Sequence, residues 1–136
     1  MLAPAIMAET FPEVAAMQSR GENELRAFFE SAGLDKKIHR FDESTHNSEL
    51  AARSLGGQVG QVAKTILLLS GESAIVVVSS GDRRVDMKEV RALGYGKRVR
   101  LAGPDEVVAR TGFAIGAVSP VALPAGVPIY LDRSLR

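Results

Sequence analysis

The chain has no cysteine and no tryptophan, and only two tyrosines and two histidines among its 136 residues. Without thiols there are no disulfides, no thiolate zinc site and no cysteine nucleophile. His39 and His46 are too few for a histidine-rich metal centre unless carboxylates complete it, so no metal and no cofactor are expected. No apolar run approaches the ~20 residues that a membrane-crossing helix needs. No Lys or Arg precedes Arg20, so the basic start of a secretory signal is missing, and a cytoplasmic location is the expectation. A net charge of +1 excludes a strong whole-molecule pull on polyanions. Any nucleic acid contact must come from local patches such as Arg83-Arg84, Lys97-Arg98-Arg100 or Lys36-Lys37-Arg40, each of which reads equally as solvated surface.

What is present suits one domain with a real core: 46% hydrophobic residues against 24% charged. The most informative stretch is Gln61 to Leu69, QVAKTILLL, which has the length and β-branched content of a strand and is closed by the turn Ser70-Gly71-Glu72-Ser73. Alternation puts Val62, Lys64, Ile66 and Leu68 on one face and Ala63, Thr65, Leu67 and Leu69 on the other. Lys64 is the anomaly. On an apolar face its ammonium must find an acid, snorkel to an edge, or serve a site that wants a cation.

Around that strand the punctuation is clear. Thr10-Phe11-Pro12-Glu13 predicts a short helix to about Ser19, and Gly21 interrupts it. Glu22 to Ala32 carries Leu25, Phe28, Phe29 and Ala32 in one stripe and predicts a core-packing helix stopped by Gly33. Lys37 to Phe41 is a further candidate strand. The polar loop Asp42 to Ser48 offers Asn47 or Ser48 as cap for a helix over 49–55 that ends at Gly56-Gly57. Ala74 to Val78 is apolar throughout and predicts a strand buried on both faces, paired antiparallel with the first through a short turn. Asp86 caps a helix to Leu93 with Met87, Val90 and Leu93 inward, and Gly94 closes it. Arg98 to Leu101 alternates as a half-exposed strand. Gly103-Pro104-Asp105-Glu106 starts a helix that ends at Thr111-Gly112. The last strand, Val127 to Leu131, points Val127, Ile129 and Leu131 one way, and Pro128 argues against full pairing there. The expected fold is α/β in the α+β manner, a single domain with a mixed, mostly antiparallel curved sheet flanked by helices. Residues 1–34 would form a helical N-terminal part.

VAKTILLL, the TGFAIGAVSP loop and the closing IYLD strand together resemble the YbaK and prolyl-tRNA synthetase-associated editing domain family, over roughly Phe41 to Leu135. Members of that family hydrolyse mischarged aminoacyl-tRNA in trans. The resemblance implies the family's fold and an aminoacyl-tRNA deacylase, for small amino acids of the Ala, Ser, Cys or Pro kind. Its partners would be the acceptor end of the tRNA, with or without an aminoacyl-tRNA synthetase, and no membrane. By resemblance Lys64 contacts the substrate near the ester or the terminal adenosine phosphate. Gly116 to Pro120 is the G-x-x-x-P loop lining the aminoacyl pocket, through Gly116, Ala117, Val118, Ser119 and Pro120. Gly112 and Phe113 form the step before it, Asp132 is the aspartate closing the last strand, and Thr45 and His46 lie in the loop over the site. Ala117 departs from the second glycine common in that loop, so a methyl group narrows the pocket or shifts the loop.

Hydrolysing an activated ester asks for orientation, a stabilised carbonyl oxyanion and a placed water. The amides of Gly116, Ala117 and Val118 are candidate oxyanion donors. A protonated Lys64 is a poor base and is assigned electrostatics. Asp132 pairs with Lys64, holds water or reads the substrate amine, unless it is a plain salt bridge. His46 is either a proton carrier or a loop residue bonded to backbone. The alternative from another class is a non-catalytic module that binds aminoacyl-adenosine or a synthetase.

Overall fold

The fold grows from the two apolar runs. In a computed structural model that describes residues 3–4, 20–42, 45 and 47–136, the strands β2 (Ala63–Ser70) and β3 (Ser73–Ser80) form an antiparallel hairpin. Its register runs from Ser70 opposite Ser73 to Ala63 opposite Ser80. β5 (Ile129–Leu131) lies parallel to β3, β1 (Ala3–Pro4) lies antiparallel to β5, and β4 (Arg100–Leu101) lies antiparallel to the far end of β2. The sheet order is β1-β5-β3-β2-β4, so it is mixed and mostly antiparallel, as expected.

Alternation sorts the core into two layers, one on each face of the sheet. Leu68, Ile75, Val77, Val90 and Val99 gather on the Lys64 face with Ile66, Tyr95 and Tyr130, while Leu67, Leu69, Val76, Val78, Ala102 and Val107 gather on the other with Val118, Val127 and Ile129. β3 is buried on both faces because layers lie above and below it. Ser79 is the exception in chemistry: its hydroxyl is buried and has no hydrogen-bond partner among the described residues.

Helices form where caps allow. In α2 (Ser48–Leu55) Asn47 Oδ1 accepts from the Leu50 amide at 2.8 Å, and Gly56 ends the helix in the left-handed region. α3 (Met87–Val90) starts at Asp86, whose carboxylate accepts from the Lys88 amide, and continues as a wider π turn to Tyr95. Leu93, expected inward, is 38% exposed there, because the widened turn rotates it out and brings Tyr95 onto the core instead. The Tyr95 and Tyr130 hydroxyls meet at 2.8 Å, which fastens this turn to β5, and burial beside Tyr130 pushes the Tyr95 phenol up to about 12.

α4 (Pro104–Thr111) is fixed at its start by Glu106, which accepts from the Gly103 amide at 2.8 Å and from Arg100 through both carboxylate oxygens. Arg100 and then the Gly103 amide hold the Glu106 carboxyl down at about 2, against an ordinary 4.5. A depressed carboxyl stabilises the fold fully above its unfolded value and loses that contribution as pH falls toward its folded one. Thermal unfolding midpoints should therefore fall between about pH 4.5 and pH 2. Glu106→Gln should flatten the slope in that window and leave it unchanged near neutrality; an identical acid slope in the variant would remove Glu106 from the account.

Three expectations need correction. Lys37 to Phe41 forms no strand, and His39 stacks on Phe41 at 6.4 Å there. α1 (Glu22–Ser31) forms as expected but is not a core helix, since Leu25, Phe28 and Phe29 are only half-buried and Ala32 is exposed. Both sheet faces are already covered by α3, α4 and the loop after α4, so α1 lies outside the two layers. The strand expected from Arg98 is reduced to Arg100–Leu101, with Val99 buried before it. The helix expected over residues 10–19 lies outside the described residues. No described helix is long and apolar enough to cross a membrane.

Candidate functional site

The site begins where β4 parts from β2. The Ala102 amide still reaches the Leu67 carbonyl at 3.1 Å, but Gly103 turns the chain and Pro104, with no N–H, opens α4. Below Leu67 the edge of β2 is left open, and beside it lies a cavity of about 530 Å³. One wall is β2 itself, including Lys64 and Thr65. Another is the start of α2, with Asn47, Ser48 and Glu49. The apolar floor comes from Leu67, Ala102, Val107 and Val118, and Ile115 and Gly116 close the side formed by the loop after α4. Leu101 and Ile115, 62% and 53% exposed, give the mouth an apolar rim.

Lys64 and Gly116, distant in sequence, thus share one hollow, and Thr45 and Val118 share it with them. Among the described residues Lys64 forms no ion pair. The carboxylate it influences is Asp82, whose pKa is lowered first by the Ser80 hydroxyl, with Arg83 and Lys64 as weaker causes. Asp82 is held by that hydroxyl, so the Lys64 ammonium remains available to an anion or to a developing negative charge. The first amides of α2 add a positive helix end to the same wall, offset by the Glu49 carboxylate.

The glycine-to-proline loop is more turn than amide cradle. The Ala117 amide donates to the Ala114 carbonyl at 3.0 Å, closing a β-turn with Gly116 in its third position at φ +79°, the value a type II turn requires. Ala117 is therefore not an oxyanion donor, contrary to expectation, because its N–H is already used. The turn by itself accounts for a glycine at 116.

Other expected residues stand outside the hollow. Gly112 is the buried left-handed cap of α4 and Phe113 is core, 2% exposed. Ala117, Ser119 and Pro120 do not line the cavity; the Ser119 hydroxyl accepts from the Val121 amide and shapes the loop from behind. Asp132 also does not line it. Its carboxylate accepts from the Ser134 amide at 2.8 Å to cap the turn Arg133–Leu135, and its pKa is lowered first by Ser134, with Arg83 among the weaker causes and Lys64 not among them. β3 stands between β5 and β2, so the backbones at Asp132 and Lys64 are two strand spacings apart, about 10 Å, and the Asp132 carboxylate is engaged by its own local cap. His46 lies outside the described residues.

Sequence reasoning missed Gly81. Its amide donates to the Val62 carbonyl at 2.6 Å, and a β-carbon there would stand 2.6 Å from the Val59 carbonyl oxygen and 2.7 Å from Ser48 Cβ. A glycine directly after a buried strand was the available signal. Also missed was Arg20. Its amide donates to the Gly112 carbonyl at 2.6 Å and its guanidinium to the Ala122 carbonyl at 2.7 Å, so one residue staples both ends of the loop that carries Gly116. Ala122 sits at φ +60°, a conformation an alanine adopts at a cost of about 1–2 kcal/mol. Arg20→Ala is expected to destabilise the fold by about 1.5–3 kcal/mol, the scale of a hydrogen bond from a charged donor. It should also speed amide exchange over residues 113–121. Denaturant titration and exchange mass spectrometry check both, and unchanged exchange in that segment would show that the loop holds itself.

Residues 42–136 match the aminoacyl-tRNA editing domain. The protein YwhH of Bacillus subtilis is 31% identical over 113 residues, which covers 82% of this chain and 71% of that one. EbsC of Enterococcus faecalis, named as a proposed Cys-tRNA(Pro)/Cys-tRNA(Cys) deacylase, is 27% identical over 97 residues, covering 71% of this chain and 59% of its own. The crystal structure of a proposed trans-editing enzyme for prolyl-tRNA synthetase is similar with a TM-score of 0.74 and 33% identity, over 83% of this chain and 72% of that one. This chain belongs to the aminoacyl-tRNA editing domain family.

Proposed function

We propose that the protein is a deacylase that hydrolyses the ester of mischarged aminoacyl-tRNA carrying a small amino acid of the Ala, Ser, Cys or Pro kind. The observation that carries this reading is the meeting of Lys64 and Gly116 around one hollow with an apolar floor. In the reaction a water oxygen adds to the ester carbonyl carbon and the bond to the ribose oxygen breaks. The water's proton passes to that oxygen, and the free amino acid and the tRNA hydroxyl leave. Lys64 supplies positive charge to the carbonyl oxygen or the neighbouring phosphate, and no covalent intermediate is needed. The names borne by similar proteins, a deacylase and a trans-editing enzyme for prolyl-tRNA synthetase, support the same class of substrate. The acceptor end of the tRNA, alone or presented by a synthetase, is the partner.

The test is a panel of tRNAs charged with Ala, Ser, Cys, Pro and larger amino acids, with release of free amino acid as the readout. Release from at least one small aminoacyl-tRNA is expected. Tight binding of an aminoacyl-adenosine analogue with no release from any of them would instead mark a non-catalytic binding module.

A further inference from the structure

The edge of β2 is incomplete, and the incompleteness falls inside the cavity. Ser70 and Ser73 close a two-residue hairpin, so the even-numbered residues of β2 turn their N–H and C=O toward β3 and the odd-numbered ones turn theirs outward. Two contacts confirm the phase: the Leu67 carbonyl accepts from Ala102 on the outer side, and the Val62 carbonyl accepts from Gly81 on the inner side. Thr65 is the next outward rung after Leu67. Its N–H and C=O have no backbone partner among the described residues, because the chain has already left for α4, and Thr65 lines the hollow.

From this we infer that the main chain of Thr65 binds the α-aminoacyl group itself, as a one-residue extension of the sheet; the inference rests on the deacylase reading. An aminoacyl ester carries the same N–Cα–C=O unit as a strand residue. Paired antiparallel with Thr65, its α-ammonium donates to the Thr65 carbonyl and its ester carbonyl accepts from the Thr65 N–H, as two residues of a hydrogen-bonded pair do. Three consequences follow. The Thr65 N–H stays on the carbonyl oxygen as that atom gains charge, which supplies an oxyanion donor where Ala117 cannot. Recognition does not depend on the amino acid side chain. And residues directly opposite in an antiparallel pair share a face, so an L-amino acid directs its side chain to the Thr65 face, toward Leu67, Val107 and Val118. A D-amino acid would direct it to the face of Lys64.

The test uses the full chain and 3′-deoxy-3′-(L-alanylamino)adenosine, in which an amide replaces the labile ester. Backbone amide exchange is followed by NMR with and without saturating analogue. The Thr65 amide should exchange at least about tenfold more slowly in the complex, the scale of one hydrogen bond, while Leu69, already paired with Arg100, changes little. The D-alanyl analogue, and a lactyl analogue with hydroxyl in place of the amine, should each bind about tenfold or more weakly. Binding of all three alike with Thr65 unprotected would overturn the inference and leave deacylation, measured separately on charged tRNA, standing. No binding of the L-analogue together with no deacylation would remove the reading and the inference with it.

Discussion

Lys64→Ala is expected to lower kcat/KM for deacylation by ~10² to 10³, the loss seen when one preorganised electrostatic group is taken from a site. The physical reason is the placement of the side chain. β2 holds Lys64 half-buried on the cavity wall, where water screens it less than on an open surface, and among the described residues it forms no ion pair, Asp82 acting on it only weakly. Removing it should leave the fold intact, because the residues of both core layers lie further along β2. Lys64→Arg keeps the charge but changes its shape and reach, so it should recover part of the activity and not all of it. Single-turnover release from a small aminoacyl-tRNA, with circular dichroism as the folding control, separates these outcomes. Full activity in a folded Lys64→Ala protein would take Lys64 out of the mechanism.

Gly81→Ala should damage both stability and the site. The added methyl would lie 2.6 Å from a backbone oxygen and 2.7 Å from Ser48 Cβ, and a backbone atom cannot step aside as a flexible side chain can. Overpacking of this kind costs about 1–3 kcal/mol, which in a domain of this size is roughly 4–12 °C in the melting midpoint. Relief comes most readily by moving the start of α2, and Ser48 and Glu49 there are part of the cavity wall. KM should therefore rise together with the loss of stability. A variant that melts at the wild-type temperature and keeps its KM would show that the close approach at Gly81 is looser than the distances state.

Much of this architecture is legible in local chemistry. Within QVAKTILLL the alternation sorts Ile66 and Leu68 from Leu67 and Leu69 correctly because a strand has period two and both faces are covered. The strand begins only at Ala63, however, since Gln61 ends a 3-10 turn over Val59–Gln61. Asn47, Asp86 and Gly103-Pro104 mark helix starts through side-chain oxygens and a missing N–H, and the structure uses them so. What is not legible depends on partners far along the chain. Lys37 to Phe41 has some strand character, but it pairs with no strand of the sheet. The stripe on α1 marks a helix correctly, yet periodicity cannot say that the sheet faces are already taken.

The site divides in the same way. Lys64 stands out because a charge interrupts an apolar strand, and Gly116 because its loop pattern resembles a known family. Asp132 misled: Asp132-Arg133-Ser134 is a local cap, and the carboxylate is used there before it can reach across β3. Arg20 and the open rung at Thr65 became visible only once the chain was folded, since each acts through residues remote in sequence, while Gly81 offered the local signal of a glycine after a buried strand but not its close neighbours Val59 and Ser48.

The most direct measurement is a crystal structure of the protein with a non-hydrolysable aminoacyl-adenosine bound. The aminoacyl group should lie in the hollow between β2 and the Gly116 turn, with the Lys64 ammonium within hydrogen-bonding reach of its carbonyl or of the adjoining phosphate. A ligand seated elsewhere on the molecule, with that hollow left to water, would contradict the account.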